Sequence, residues 1–143
     1  IENFHYLAGP IARVGAVSRA GRSVSIDEAT GLLFEFTSGA VGTLTSSFFT
    51  PWDIQLSLHG TEGSAFARDD GTELAYQPRG EREKSPRPLG EVDPVADQLE
   101  DFARVIRESG RPEVGGEEGL AVVAVLEAAV RSVESGSFMD VER

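Results

Sequence analysis

The stretch EATGLLFEFTSGAVGTLTSSFF, residues 28–49, most narrows the folds available to this chain. Apolar and polar residues alternate on both sides of its centre, and a period of two is typical of β-strands. Leu32, Phe34 and Phe36 are predicted to lie on one face of a sheet. Because Ser38-Gly39 separates the two runs, the stretch predicts an antiparallel hairpin.

Another strand pattern begins at Ile11 and ends at Gly21. Further strand patterns lie at residues 53–60, 64–78 and 137–141. In DIQLSLHG, one side of the predicted strand carries Gln55, Ser57 and His59. This side is predicted to face solvent or a partner. Asp70-Gly71 is the predicted turn of the hairpin at 64–78. Residues 78–92 are polar and contain three prolines, so we expect a mobile loop there.

Three segments have helical character. Residues 1–8 follow helical spacing without an N-cap and end at Gly9-Pro10, which indicates the last turns of a helix. A second helix is predicted from Asp93-Pro94 to Gly110, since Asp is a favoured N-cap and Pro a favoured first residue. A third follows Gly115-Gly116 and stops at Ser135-Gly136. The predicted apolar stripes are Val95, Leu99, Phe102, Val105 and Ile106 in the second helix, and Leu120, Val123, Leu126, Val130 and Val133 in the third.

This order of elements predicts an α+β fold, a large and mostly antiparallel open sheet with helices packed on one face. The other face carries polar residues together with Leu33 and Phe49. Two interpretations of that face stay open, a subunit interface and a half-solvated sheet.

The composition excludes several function classes. A net charge of −11 disfavours nucleic acid and anionic membrane as partners. The chain has no cysteine, which excludes a disulfide framework and thiolate metal sites. No apolar run approaches membrane-spanning length, and no signal peptide is recognisable. The only lysine, Lys84, lies in a charged, Pro-rich and Gly-rich stretch and is interpreted as an exposed loop residue.

No self-sufficient catalytic set is recognisable. None of the 16 glycines forms a GxGxxG motif, and no GxSxG elbow is present. Of the two histidines, His5 is interpreted as a core or edge residue beside the apolar face of its helix, and His59 lacks a carboxylate at metal-ligand spacing. The most unusual stretch is SSFFTPWDIQ, where Trp52 and Asp53 suit stacking against a small ligand and binding its hydroxyls. The alternative is that Phe48 and Trp52 pack in the core.

Five segments in this order resemble the C-terminal domain of the Gfo/Idh/MocA oxidoreductases: IENFHYLAGPIARVGA, FEFTSGAVGTLTSSF, LSLHGTEGSAF, QLEDFARVIRESGRPEVGGEEGL and LEAAVRSVESGSFMDV. The resemblance implies that residues 1–143 are a substrate and oligomerisation domain, cut within its N-terminal helix and lacking its Rossmann domain. It implies an NAD- or NADP-dependent parent acting on a sugar, cyclitol or similar hydroxyl compound. No cofactor is expected in the fragment.

The resemblance also assigns roles to residues. The family's catalytic lysine belongs to the Rossmann domain, and its Asp-x-x-x-His motif would place the histidine two residues before Ile1. No catalytic residue is therefore expected within this chain, and the fragment is expected to be inactive. Thr50, Trp52 and Asp53 align with the segment that reaches the substrate. A cytoplasmic homodimer or higher homo-oligomer, assembled through the open sheet face, is expected.

Two alternatives stay open beside this interpretation. The chain could be a non-catalytic binding or assembly module that dimerises through its sheet. A weaker hypothesis is a hydrolase or lyase, since some relatives use the cofactor for glycoside cleavage.

Overall fold

The computed structural model describes residues 1–20, 27–90 and 92–142. The elements, in chain order, are α1 (Glu2–Ala8), β1 (Ile11–Ala20), β2 (Asp27–Phe36), β3 (Val41–Ser47), β4 (Leu56–Gly60), β5 (Gly63–Arg68), a 3-10 turn (Asp69–Gly71), β6 (Glu73–Pro78), β7 (Ser85–Arg87), α2 (Pro94–Glu108), α3 (Gly116–Ser135) and β8 (Met139–Asp140). The predicted α+β class is confirmed. The predicted end of β1 at Gly21 lies outside the described residues.

The chain divides into two compact units, each with its own sheet. The first unit comprises residues 1–50 and 101–143, and the second comprises residues 51–100. Each unit contains a four-stranded antiparallel sheet, in the order β3-β2-β1-β8 in the first and β4-β5-β6-β7 in the second. The strands therefore form two sheets where the sequence suggested one.

The core of the first unit lies between its sheet and α3. The predicted hairpin is confirmed, and Leu32, Phe34 and Phe36 all point to the buried face. The buried hydrophobic residues among those described are Ile11, Val14, Leu32, Phe34, Phe36, Val125, Ala128 and Ala129. Burial of these apolar side chains is the main force holding the helix on the sheet.

The face that α3 presents to the sheet differs from the predicted stripe. The buried positions are Val125, Ala128, Ala129 and Ser132, which follow i, i+3, i+4, i+7 spacing. The predicted core positions are exposed instead, Leu120 by 66% and Val123 by 57%. Small side chains allow the helix backbone to approach the sheet closely, so contact with the sheet selected the alanine-rich face over the more apolar one.

Ser132 is the buried polar residue of this interface. Its Oγ accepts a hydrogen bond from the Ala16 N–H at 2.9 Å and donates one to the Ser137 carbonyl at 2.6 Å. β8 pairs only with Arg13 and Val14. Ala16 lies beyond the part of β1 that pairs with β8, so its N–H has no carbonyl partner on that strand. The Ser132 hydroxyl accepts this hydrogen bond instead.

The start of α2 is confirmed, but its apolar stripe is not covered. Asp93 Oδ1 accepts hydrogen bonds from the N–H groups of Val95 at 3.1 Å and Ala96 at 3.0 Å, as an N-cap should. Four residues of the stripe are 63–65% exposed: Val95, Leu99, Phe102 and Ile106. An amphipathic helix of this kind needs an apolar partner surface.

In the second unit, the turn predicted at Asp70-Gly71 is confirmed as part of the short 3-10 turn between β5 and β6. The prediction of a mobile loop at 78–92 is wrong for residues 85–87, which form a strand. β7 lies within it and pairs with β6, with Pro86 opposite Ala75. At the outermost strand of the sheet Pro86 does not interrupt the pairing, because edge strands tolerate a missing N–H.

Candidate functional site

The β3–β4 connection, residues 48–55, contains exposed aromatic residues, Phe48 and Phe49 in its first-unit part and Trp52 in its second-unit part. The Phe48 and Phe49 rings meet edge to face with centroids 5.1 Å apart. Phe48 is 68% exposed and Trp52 is 82% exposed. The alternative that Phe48 and Trp52 fill the core is therefore wrong, and both rings are available to contact another molecule.

The three predicted substrate contacts lie in this connection. Thr50 belongs to the first unit, and Trp52 and Asp53 belong to the second. All three residues are exposed. Asp53 Oδ2 accepts a hydrogen bond from Gln55 Nε2 at 2.9 Å. This hydrogen bond restrains the carboxylate that follows Trp52 in the chain. A carboxylate and an indole face are chemically suited to a polyhydroxy ligand, whose hydroxyls donate hydrogen bonds and whose ring carbons are apolar.

A second polar group lies on one face of the second unit's sheet. His59 Nδ1 and Ser64 Oγ are 2.9 Å apart across the β4–β5 pair. The His59 ring meets Phe66 edge to face at 5.6 Å, and Lys84 Nζ lies 3.5 Å from the centre of the Phe66 ring. Lys84 is exposed, as predicted, and its cation–π contact makes it part of this face.

The described residues offer neither a metal-binding cluster nor a membrane-spanning helix. Within residues 1–20, 27–90 and 92–142, no cluster of three or more His, Asp or Glu side chains is placed to hold a metal ion. In that same part of the chain, no helix is both long enough and apolar enough to cross a membrane.

A groove that the sequence did not predict lies between α1 and α3 in the first unit. Its volume is about 600 Å³. It is lined by Glu2, His5, Tyr6, Pro10, Glu113, Val114, Glu117, Glu118, Leu120, Ala121, Val122, Val123, Ala124, Glu127 and Glu142. The signal available in the sequence was the predicted stripe of α3 together with its alanine-rich face, since a helix that is apolar on two sides needs cover on both.

One end of this groove carries an ion-pair network at the start of α3. Arg111 Nη2 lies 2.5 Å from Glu117 Oε2 and 3.0 Å from Glu118 Oε1. Glu118 also accepts a hydrogen bond from the Gly115 N–H at 2.8 Å, closing the N-terminus of the helix. Hydrogen bonds from the backbone of Glu118 and Gly115, together with Arg111, lower the pKa of the Glu118 carboxyl.

The sequence profile of an oxidoreductase family, the C-terminal alpha/beta domain of Gfo/Idh/MocA proteins, matches residues 1–141. The chain belongs to this family. One relative, D-xylose 1-dehydrogenase (NADP(+)) 2 of Haloferax volcanii, is 27% identical over 137 residues. That alignment covers 91% of this chain and 42% of the relative.

Solved structures show the same fold. A Desulfitobacterium hafniense protein matches with a TM-score of 0.91 and 25% identity over 98% of this chain and 45% of its own. The aldose-aldose oxidoreductase of Caulobacter crescentus matches with a TM-score of 0.87 and 22% identity, over 97% of this chain and 44% of its own. Levoglucosan dehydrogenase in complex with NADH gives a TM-score of 0.85 and 21% identity, over 99% of this chain and 48% of its own. The chain thus spans less than half the length of each of these relatives.

Proposed function

We propose that this chain is the substrate-binding and dimerisation domain of an NAD(P)-dependent oxidoreductase that acts on a sugar or a similar polyol. The observation that carries the proposal is the family match over residues 1–141, joined to relatives named for sugar and aldose oxidation. The full-length protein is a cytoplasmic enzyme in this proposal. Its nicotinamide cofactor and its catalytic Lys and His belong to the part outside this chain, and the 143-residue chain alone is inactive and binds no cofactor.

The substrate contacts in this proposal are Thr50, Trp52 and Asp53. Trp52 offers its exposed indole as a platform for the apolar face of a sugar ring, and Asp53 accepts hydrogen bonds from hydroxyls. Gln55 holds the Asp53 carboxylate through its 2.9 Å hydrogen bond, so the orientation of the acceptor is partly set before the substrate arrives. Such preorganisation reduces the ordering cost of binding.

The enzymatic test uses the complete polypeptide of which this sequence is a part. Aldoses, beginning with D-xylose, and polyols are offered with NAD or NADP, and reduction of the nicotinamide is followed by absorbance. Trp52→Ala is expected to reduce kcat/KM by about tenfold or more through loss of the platform, whereas Trp52→Phe should retain most of it. A full-length protein inert on every sugar and polyol would contradict the proposal and favour the non-catalytic assembly module.

A second test needs only the 143-residue chain. Trp52 is the sole tryptophan, so its fluorescence reports on this position alone. Weak quenching by the sugar substrate, diminished in Asp53→Asn, is expected because the indole and the carboxylate act on the same ligand. If Trp52 emission responds to sugars equally in Asp53→Asn, the carboxylate is not a contact.

We assign self-association to the sheet face of the second unit that bears Ser57 and His59. Both are exposed and share the face with Phe66 and Lys84. Light scattering should report a dimer of the chain, and Ser57→Arg should shift it toward monomer by placing a charge in the interface. Ser85→Arg is the matched control, because Ser85 pairs with Tyr76 on the opposite face. A monomer at high protein concentration, or equal effects of both variants, would contradict this assignment.

A further inference from the structure

The face of α3 that turns away from the sheet is too apolar for a solvated surface. The helix buries its small residues, but its larger apolar residues lie outside that contact. Leu120 is 66% exposed, Val123 57% and Val130 58%. A helix with apolar residues on two sides is normally covered on both, and an exposed apolar face of this kind marks an interaction surface.

The α1–α3 groove gives the outer side of α3 a defined shape. Leu120, Val123, Ala124 and Glu127 follow i, i+3, i+4, i+7 spacing and therefore form one stripe along the groove. The lining part of the helix extends from Glu117 to Glu127, about 15 Å at 1.5 Å per residue. A trough of this length between two helices suits about three turns of a third helix.

The lining of the groove is acidic. Six of the lining residues are glutamates: Glu2, Glu113, Glu117, Glu118, Glu127 and Glu142. Arg111 pairs with Glu117 and Glu118, and Arg131 lies 3.3 Å from Glu142. Within the described chain, Glu2, Glu113 and Glu127 form no ion pair. The lining of the groove therefore combines apolar side chains with an excess of negative charge.

We propose that the α1–α3 groove is the docking site for an amphipathic helix whose apolar stripe is flanked by Lys and Arg. The apolar stripe would cover Leu120 and Val123, and the flanking cations would lie against Glu2 and Glu127. Charge complementarity of this kind selects one class of partner and excludes acidic helices.

The helix comes from the part of the full-length protein outside this chain, and this source rests on the proposed function. The relatives match this chain over 91–99% of its length, yet the match covers only 42–48% of theirs. The unmatched half of such a protein is the nearest and most concentrated source of a covering surface. An intramolecular partner binds at high effective concentration even when each contact is weak.

The first experiment titrates the 143-residue chain with a labelled peptide of about three helical turns, carrying a leucine stripe flanked by lysines. Fluorescence anisotropy measures binding at low and at high salt. We expect saturable binding that weakens with salt, and no binding of the matched peptide in which glutamate replaces lysine. Failure of the lysine peptide to bind, or equal binding of both peptides, would overturn the proposal.

Two variants, each with a matched control on the same helix, locate the binding. Val123→Ser should lower the affinity for the peptide about tenfold, because one buried valine contact is lost, while Val130→Ser should leave the affinity unchanged. Val123 and Val130 are almost equally exposed, 57% and 58%, but only Val123 lines the groove. Glu127→Lys should weaken binding about fivefold at low salt, and Glu134→Lys should not. Circular dichroism confirms that each variant is folded, and equal effects of a variant and its control would overturn the assignment to the groove.

The last experiment tests the source of the helix. The full-length protein should not bind the lysine peptide, because its own helix occupies the groove. Peptide binding to the full-length protein as tight as to the 143-residue chain would overturn the intramolecular source. These outcomes are independent of sugar oxidation, so a failed groove and a failed enzymatic proposal are told apart.

Discussion

Replacing Ser132 with alanine should destabilise the first unit more than its small change in volume suggests. The substitution removes the acceptor of the Ala16 N–H and the donor to the Ser137 carbonyl, at 2.9 Å and 2.6 Å. Each lost hydrogen bond costs about 1–1.5 kcal/mol. The higher helix propensity of alanine returns about 0.5 kcal/mol, so the net loss is about 2 kcal/mol. The melting temperature should fall by about 4–8 °C.

Far-UV circular dichroism is the suitable assay, followed through urea and thermal unfolding. Tryptophan fluorescence is unsuitable because Trp52 lies in the second unit and is 82% exposed. Amide hydrogen exchange adds a local measurement, since the Ala16 N–H should exchange faster in Ser132→Ala. Ser46→Ala is the control, because Ser46 is exposed and its loss should change stability by less than about 0.5 kcal/mol.

The result that would refute this reasoning is a loss in Ser132→Ala no larger than that in Ser46→Ala, with Ala16 exchange unchanged. The hydrogen bonds of Ser132 would then be replaced by water at no cost. In that case the helix would be held on the sheet by apolar contacts alone.

Three further predictions concern local structure. Gly63→Ala should lower the free energy of unfolding in urea by about 1–3 kcal/mol, because the new Cβ would lie 2.6 Å from the Gln77 carbonyl oxygen. Gly31→Ala is the control and should leave the free energy of unfolding nearly unchanged, because its new Cβ meets no atom within 4 Å. Asp93→Ala should reduce the helicity of α2 and cost about 1 kcal/mol, with faster amide exchange at Val95 and Ala96; unchanged exchange would show that the cap is dispensable. The pKa of Glu118 is lowered in the folded chain, so its stabilising effect is present above the ordinary glutamate pKa and is lost as the pH falls below it. Glu118→Gln should therefore lower the urea midpoint at about pH 6 more than at about pH 3, and an equal effect at both would contradict the assignment.

The elements that the sequence predicted best are those whose signals are local. Alternation around Ser38-Gly39 is enough to specify the β2–β3 hairpin, and Asp93 followed by Pro94 is enough to begin α2. These signals depend on steric and hydrogen-bonding preferences of neighbouring residues. The short strand β7 was missed because its formation depends on pairing with β6, while its own sequence resembles a loop.

The candidate site divides along the same line. The composition of the β3–β4 connection singled out Trp52 and Asp53, and the structure shows that Trp52 is exposed, while its role as a substrate contact stays a prediction. The α1–α3 groove was not predicted, because its walls come from residues more than 100 positions apart in the sequence. Its acidic lining is assembled only when α1, the loop before α3 and the C-terminal residues come together.

The sequence by itself determined the α+β class, the order of the helices and of the strands other than β7, the cap of α2 and the hairpin turns, and through family resemblance the kind of protein to which the chain belongs. Only the tertiary structure decided which face of α3 meets the sheet. Hydrophobicity favours the stripe with Leu120 and Val123, but close packing on the sheet selects Ala128 and Ala129, with Ser132 bonded to the edge of β1. The physical reason is that burial depends on how closely two backbones can approach, and this distance is a property of the pair of surfaces rather than of either sequence.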